Sequence, residues 1–199
     1  MSTVLIVLAV VAGVAIILIG WVAGIYNGLI TARNQYQNAF AQIDVQLKRR
    51  YDLIPNLVEA VRGYMKHESG TLEEITRARS AAMGAQQRAS NDPTDPEAMK
   101  SLATADNQLN GALGRLMVSV EAYPDLKANQ NMLSLQEELT STENKVSFSR
   151  QGYNDAATLY NTKRDMFPTN IIAGIFNFKS ATLWIIEDAA QKEAPKVQF

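Results

Sequence analysis

The side chains of this 199-residue chain that could perform chemistry do not occur at any spacing that catalysis requires. The only histidine, His67, stands at the end of a helical stretch, where a cation has an ordinary stabilising role. Glu-x-x-His pairs, which would indicate a di-iron bundle, do not occur. The sequence also has no phosphate loop, nucleophile elbow or glycine-rich dinucleotide turn. We therefore expect no enzyme activity, no metal site and no cofactor.

Two charged clusters remain, and both are typical of solvated helix faces. One consists of Glu137, Glu138 and Glu143, and the other is the basic run Lys-Arg-Arg at residues 48–50. The basic run has an alternative role as a contact for acidic lipid or a protein partner. A net charge of −1 and a pI near 5.9 argue against nucleic acid, which would require a basic face.

Composition narrows the architecture further. The chain has no cysteine, which excludes disulfides, thiolate metal sites and a cysteine nucleophile. Proline and glycine are few, and most of the chain consists of residues that favour helices, such as Ala, Leu, Gln and Glu. Helices must therefore position whatever functional side chains the protein has.

Residues 4–25 carry no charge and consist mostly of Val, Ile, Leu and Ala. A helix rises about 1.5 Å per residue, so this stretch can span the ~30 Å hydrocarbon layer of a membrane. A cleaved signal peptide is the alternative, but its apolar core has only ~7–15 residues and follows a basic leader. No basic residue precedes the apolar stretch. We expect residues 1–26 to form a retained transmembrane anchor.

The orientation of the anchor depends on few charges. Arg33 and the basic run at residues 48–50 follow the anchor, and no Lys or Arg precedes it. The positive-inside rule thus favours an outside N-terminus and a cytoplasmic body, although only Arg33 lies within ~20 residues of the membrane. The opposite topology, with the body outside the cytoplasm, stays open.

A row of glycines runs along one side of the anchor. Gly20, Gly24 and Gly28 recur at every fourth position, which allows two helix backbones to approach closely in lipid. Glycine is also generally common in transmembrane helices, so this spacing has a simple alternative explanation. We take the three glycines as a candidate association face.

Apolar residues then recur at steps of three and four, which predicts that one long helix leaves the membrane and continues to Ser69-Gly70. Pro55 falls inside this pattern and predicts a bend. The predicted core face consists of Tyr36, Phe40, Ile43, Leu47, Tyr51, Ile54, Val58, Val61 and Met65.

Residues that are typical of helix ends predict three further helices. Thr71 begins a capping-box pattern and starts the second helix, which reaches about residue 89. After a loop at residues 90–96, Asp95 caps the third helix, which stops before Tyr123. The fourth helix ends at Phe167-Pro168. The class is therefore all-α, with the transmembrane helix continuing into an antiparallel up-down four-helix bundle of two long and two shorter helices, over residues 27–168.

The shorter second and third helices leave the first and fourth helices poorly covered near the bilayer. Other copies of the chain could cover them, or the apolar C-terminal segment at residues 169–190 could fold back. Phe176, Phe178 and Trp184 in this segment suit either an interfacial helix or a plug for the bundle end, with the plug slightly favoured. Residues 191–199 are predicted to be a tail.

A polar group interrupts the first helix of the body. Tyr51, Asp52, Pro55 and Asn56 combine a bend with hydrogen-bonding groups. Such a group suits a packing contact across the bundle, because buried polar side chains need partners and fix the helix register. A notch for docking a partner protein is the alternative.

Several motifs make the chain resemble the LemA family of bacterial membrane proteins. They are QIDVQLKRRYDLIPNLVE at 42–59, YPDLKAN at 123–129, LQEEL at 135–139 with Thr142-Glu143, Tyr153-Asn154, Tyr160-Asn161 and FPTN at 167–170. The resemblance implies one N-terminal transmembrane helix, a helical bundle and a location in the bacterial inner membrane. It implies no catalytic residues. The chain departs from the family at Phe176-Asn177-Phe178, where Phe-Gly-Phe is usual.

The resulting expectation is a single-pass, non-enzymatic scaffold that self-associates as a homo-oligomer, with coiled-coil-like packing, and organises membrane or partner proteins. The alternative is a regulatory adaptor, monomeric on its own, for a membrane enzyme such as a protease. In both cases we expect the lipid bilayer as a partner and another membrane protein as a further candidate, and we expect no binding of nucleic acid.

Overall fold

The computed structural model describes residues 2–65 and 68–185, and every regular element in that part of the chain is an α-helix. The helices are α1 (Ser2–Arg62), α2 (Ser69–Asn91), α3 (Pro96–Val120), α4 (Pro124–Lys127), α5 (Gln130–Asp165) and α6 (Thr169–Ile175). The predicted all-α class is confirmed. His67 and the predicted tail at residues 191–199 lie outside the described residues.

Helix α1 joins the apolar anchor and the body without interruption. Its 61 residues give a length of roughly 90 Å, and it is long and apolar enough to cross a membrane. None of its most apolar stretch is buried against the rest of the chain. In the body, all nine residues predicted for the core face are buried. Pro55 lies on an exposed side of the helix, which continues to Arg62 rather than to Ser69-Gly70.

The two central helices begin differently from one another. The predicted capping role of Thr71 is wrong, because α2 starts at Ser69, and the backbone amides of Thr71 and Leu72 already bond to the Glu68 carbonyl. The predicted Asp95 cap is confirmed, since its carboxylate accepts the Glu97 amide at 2.9 Å. Pro96 occupies the first turn, where no amide hydrogen is needed.

One turn of helix that the sequence pattern did not predict connects α3 to α5. Helix α4 begins at Pro124 and places Leu126 fully inside the core. The Asn129 side chain then caps α5 by accepting the amides of Asn131 and Met132. This short helix closes the end of the bundle that lies away from the apolar segment.

The four long helices form the predicted bundle. Helices α1 and α5 pack along each other over the greatest length, α2 packs on α3, and α2 also packs on α1. Near the apolar segment an aromatic cluster joins α1 to α5, with Tyr36 4.9 Å from Tyr160 and Phe40 5.3 Å from Tyr153 between ring centroids. Helices α1 and α5 therefore form the most extensive helix–helix contact of the body.

Beyond the turn between α2 and α3, an extended segment at residues 178–185, here called the strap, covers α1 and α5. Two asparagines of α5 hold the backbone of the strap. Asn161 accepts the Ala181 amide at 2.8 Å and donates to its carbonyl at 2.9 Å. Asn154 binds both backbone groups of Trp184 in the same way, at 2.9 and 3.0 Å. These side chains replace the hydrogen bonds that an extended chain lacks outside a sheet.

Three more α5 side chains donate to carbonyls of the strap. Tyr153, Tyr160 and Arg164 bond to Thr182, Lys179 and Phe178 respectively. Burial raises the pKa of both tyrosine hydroxyls, so they stay protonated and remain donors near neutral pH. The strap also reaches the turn between α2 and α3, where the Thr182 hydroxyl donates to the Thr94 carbonyl at 3.2 Å.

The strap starts from a turn at the end of α6. The Phe178 amide bonds to the Ala173 carbonyl and the Asn177 amide to the Gly174 carbonyl, the pattern of a Schellman motif. Asn177 has a φ of 53°, in the left-handed region that favours glycine and tolerates asparagine. The chain therefore keeps this turn although it lacks the glycine of the Phe-Gly-Phe pattern.

Replacing Asn161 by alanine should lower the free energy of unfolding by about 1–3 kcal/mol, because it leaves two buried backbone groups of Ala181 unpaired. Hydrogen exchange in peptides covering residues 178–185 should quicken in the same variant. The matched control is Asn144→Ala, an exposed position on α5, which should change stability by less than about 0.5 kcal/mol. Equal effects of the two variants would contradict the role of Asn161.

Candidate functional site

The most unusual polar site in the body is a cluster of charges inside the bundle. The Arg50 side chain is only 1% exposed and forms ion pairs with Asp106 of α3 and Glu143 of α5. Its guanidinium also donates to the Asn110 amide oxygen at 3.1 Å. One side chain of α1 thus joins three helices through charged hydrogen bonds.

The prediction that the basic run is a solvated face is wrong for Arg50. This residue lies three positions after Leu47 and four before Ile54, so it falls on the core face of α1. Asp106 likewise follows Leu102 by four positions on α3. The spacing of Arg50 and Asp106 therefore indicates burial, whereas the prediction of a solvated face relied on the charge of the basic run. Glu143 is also part of this cluster rather than of a purely solvated face, since it pairs with Arg50.

The electrostatics of this cluster keep Arg50 charged. Burial lowers the pKa of the guanidinium, but the carboxylates of Asp106 and Glu143 outweigh that effect, and its pKa lies above the ordinary value. Burial raises the pKa of the Asp106 carboxyl, and Arg50 acts in the opposite direction. Arg50 and Asp106 lie inside the bundle and Glu143 lies at its surface, so the arrangement suits the fixing of helix register.

The three candidate association glycines have different surroundings. A Cβ placed on Gly28 would lie 2.9 Å from the Lys163 ammonium nitrogen, so α5 of the same chain already covers this position. Nothing lies within 4 Å of such an atom at Gly20 or Gly24. The candidate association face is therefore reduced to Gly20 and Gly24.

The aromatic residues of the C-terminal segment separate into two groups. Phe178 and Trp184, which belong to the strap, are buried, at 6% and 1% exposure. Phe176 is 51% exposed and lies against Tyr26, with the ring centroids 4.8 Å apart. Phe178 and Trp184 thus plug the bundle end, as expected for the plug alternative, whereas Phe176 stays at the surface.

The predicted notch in α1 is not a single site. Tyr51 is buried in the core, and burial raises the pKa of its hydroxyl. Asp52, Pro55 and Asn56 are exposed. The packing interpretation is therefore wrong for these three residues, because exposed side chains do not form a buried contact across the bundle. Docking by them stays a prediction.

The open clefts on the surface of the body include two that are lined mainly by polar residues. One of about 770 Å³ separates α2 from α3 and is lined by polar residues that include Arg77 and Asn107. The other, of about 740 Å³, lies beside Gln46 of α1 and Phe148 of α5. Residues 2–65 and 68–185 contain no group of three side chains that could hold a metal ion.

Replacing Arg50 by methionine should destabilise the bundle by roughly 3–5 kcal/mol, because Asp106 is left as an unpaired buried charge. Combining Arg50→Met with Asp106→Leu should recover most of that loss, since both charges are then removed. Thermal and denaturant unfolding in mild detergent would measure both effects.

The neighbouring arginine supplies a matched control. Arg49 pairs with Glu138 at 2.8 Å, and their side chains are 52% and 42% exposed. Solvent screens such a pair, so Arg49→Met should cost at most about 1 kcal/mol. A double variant of Arg50 and Asp106 as unstable as the single Arg50 variant would contradict the assigned cause.

Comparison with known proteins places this architecture in a family. The chain is 33% identical over 150 residues to Protein LemA of Metamycoplasma hominis, covering 74% of this chain and 63% of that protein. It is 29% identical over 190 residues to magnetosome protein MamQ 2 of Paramagnetospirillum magneticum, covering 88% of this chain and 68% of the relative. MamQ of Magnetospirillum gryphiswaldense is 25% identical over 169 residues, covering 77% of this chain and 62% of its own length.

The chain thus spans somewhat less than two thirds of the LemA relative's length. The model of the LemA family matches residues 39–199, which include the body helices that hold the buried Arg50 cluster and the strap. The likeness suggested by the motifs in the sequence is confirmed, and the chain belongs to the LemA family.

Proposed function

We propose that this protein is a non-enzymatic scaffold, which is anchored in the membrane, self-associates and holds a helical bundle beside the membrane for partner proteins. The observation that carries the proposal is the continuity of α1, whose 61 residues include both the apolar segment and much of the buried core. An uninterrupted helix transmits the position of the anchor to the body, so the bundle is presented at a fixed distance from the membrane.

Two features support a role without catalysis. The charged cluster of Arg50 and Asp106 is inside the bundle, at 1% exposure for each residue, so a substrate has no access to it. These two clefts of the body are open and lined mainly by polar residues, unlike the enclosed apolar sites that usually bind small molecules. Surface contact with other proteins fits these properties better.

The support for self-association comes from the membrane segment. The strap already covers α1 and α5 near the membrane, so this part of the body needs no second copy. Gly20 and Gly24 remain open, on the apolar part of α1 that the rest of the chain leaves exposed. Small residues at this spacing allow close helix packing in lipid. The likeness to relatives named as magnetosome proteins supports a place at a membrane.

The proposal predicts a homogeneous multimer when the full chain is extracted in mild detergent and measured by native mass spectrometry. Gly24→Leu should shift this multimer toward the monomer, because the larger side chain separates the helix backbones. Ala15→Leu, which adds similar bulk on the opposite side of the helix, should leave the multimer intact. A monomeric wild-type chain would overturn the scaffold proposal and favour the regulatory adaptor.

We further propose that the chain crosses the bacterial inner membrane once, with the N-terminus outside and the body in the cytoplasm. Tertiary contacts support this orientation, because Lys163 and Arg164 lie at the same end of the body as Arg33. Lys163 reaches Gly28, and Arg164 and Arg33 both contact Phe178. The anionic inner surface of a membrane attracts such cations.

This orientation can be tested because the natural chain has no cysteine. A cysteine in place of Ser2 should react with an impermeant thiol reagent on intact cells. A cysteine in place of the exposed Val118 should react only after lysis. The reverse pattern would contradict the proposed topology while leaving the scaffold role open to its own test.

A further inference from the structure

Four large apolar side chains are exposed at the end of the body that meets the apolar segment of α1. Phe167 is 80% exposed, Ile175 70%, Ile171 53% and Phe176 51%. Phe167 immediately precedes the α6 region, and the other three lie on α6 or at its end. So much clustered apolar surface is uncommon on a protein that meets only water.

The position of Phe176 fixes the level of this surface relative to the membrane segment. Its ring packs on Tyr26, and a cleft of about 420 Å³ lies between Phe176 and α1. The cleft is lined on the α1 side by Leu18, Ile19, Val22, Ala23, Tyr26 and Asn27. The end of α6 therefore lies beside the last two turns of the apolar stretch.

The opposite face of α6 is buried against the body, so the helix cannot rotate to bring these exposed side chains inward. Ile172 and Ala173 are buried against the body, at 7% and 3% exposure. The Schellman turn at Asn177 then connects α6 to the strap, which α5 holds through its asparagines. Helix α6 is thus fixed with Ile171 and Ile175 directed away from the bundle.

Aromatic and basic residues follow one another at this level, as they do at membrane surfaces. Tyr26 contacts both Phe176 and Phe178, with the ring centroids 4.8 and 5.6 Å apart. On the body side, the Arg33 guanidinium lies 5.4 Å from the Phe178 ring, and Arg164 donates to the Phe178 carbonyl at 2.7 Å. Aromatic rings prefer the headgroup level, and long basic side chains extend from there toward water.

We propose that α6 and Phe167 form a second membrane contact, a foot that lies in the boundary between headgroups and acyl chains in the leaflet from which α1 emerges. Its partner is lipid, with Phe167, Ile171, Ile175 and Phe176 among the upper acyl chains. The cleft beside Tyr26 is filled by an acyl chain of the same leaflet. Two contacts fix the rotation of the bundle about α1, which a single anchor leaves free.

The absence of native cysteine allows a direct test in the full-length chain. A nitroxide spin label would be attached to cysteine at position 175 in Ile175→Cys, with the protein in vesicles of phosphatidylcholine and phosphatidylglycerol. Power saturation then compares collisions with oxygen, which concentrates in the bilayer, and with a water-soluble nickel chelate. At position 175 collisions with oxygen should exceed those with nickel several-fold.

Two reference positions calibrate the measurement. A label at Val14, inside the apolar stretch, should also favour oxygen, and a label at the exposed Val118 should favour nickel. Phe167→Cys should behave like Ile175→Cys, which guards against a variant that misfolds. Preferential nickel access at both 167 and 175 would overturn the proposal, because the foot would then lie in water.

Protection from both reagents at positions 167 and 175 would overturn the proposal as well, since it would indicate cover by a second copy or by another protein. Neither outcome depends on the scaffold role. The foot can be present in a monomer, and the multimer can form without the foot, so the detergent measurement and the spin-label measurement fail separately.

Discussion

The structure depends on the burial of one face of α1. Helix α1 contributes twelve buried apolar residues to the core of the body, and it continues from an apolar stretch that is not buried against the rest of the chain. Helix α5 covers the buried face over the greatest length. Helices α2 and α3 are shorter and complete the cover only away from the apolar segment, so the remaining part of the face requires another element. The strap is that element.

The strap covers this remaining part of α1 with an extended chain that forms no regular backbone hydrogen bonds of its own. Burying such a chain is costly unless its amides and carbonyls find partners. Asn154 and Asn161 lie seven residues apart, on one side of α5, and each binds both backbone groups of one strap residue. These asparagines belong to two of the motifs by which the sequence resembles its family. Their part in the fold is to satisfy the backbone of the strap.

The continuity of α1 and the closure of the bundle by the strap together determine how the body is positioned next to the apolar segment. Since the strap closes the bundle, the chain needs no other copy there, and any assembly must use surfaces that remain open. Gly20 and Gly24 are such surfaces in the anchor, and the proposed foot gives α6 a lipid partner. The Arg50 cluster holds α1, α3 and α5 in register from within. A rigid bundle with a defined orientation is well suited to holding other proteins, which is why assembly is proposed ahead of chemistry.

The sequence by itself determined the apolar N-terminal segment, the long helix that continues from it, the bundle and the Asp95 cap, because these follow from local periodicity and capping. Tertiary structure alone decided that Arg50 is buried, that Gly28 is covered by Lys163, and that Asp52 and Asn56 face outward. It also separated Phe176 from Phe178 and Trp184 and placed the strap on α5. Each of these depends on contacts between residues far apart in the chain. Periodicity identifies which face of a helix is buried, but not which distant side chain supplies the partner that makes burial of a charge or of an irregular backbone favourable.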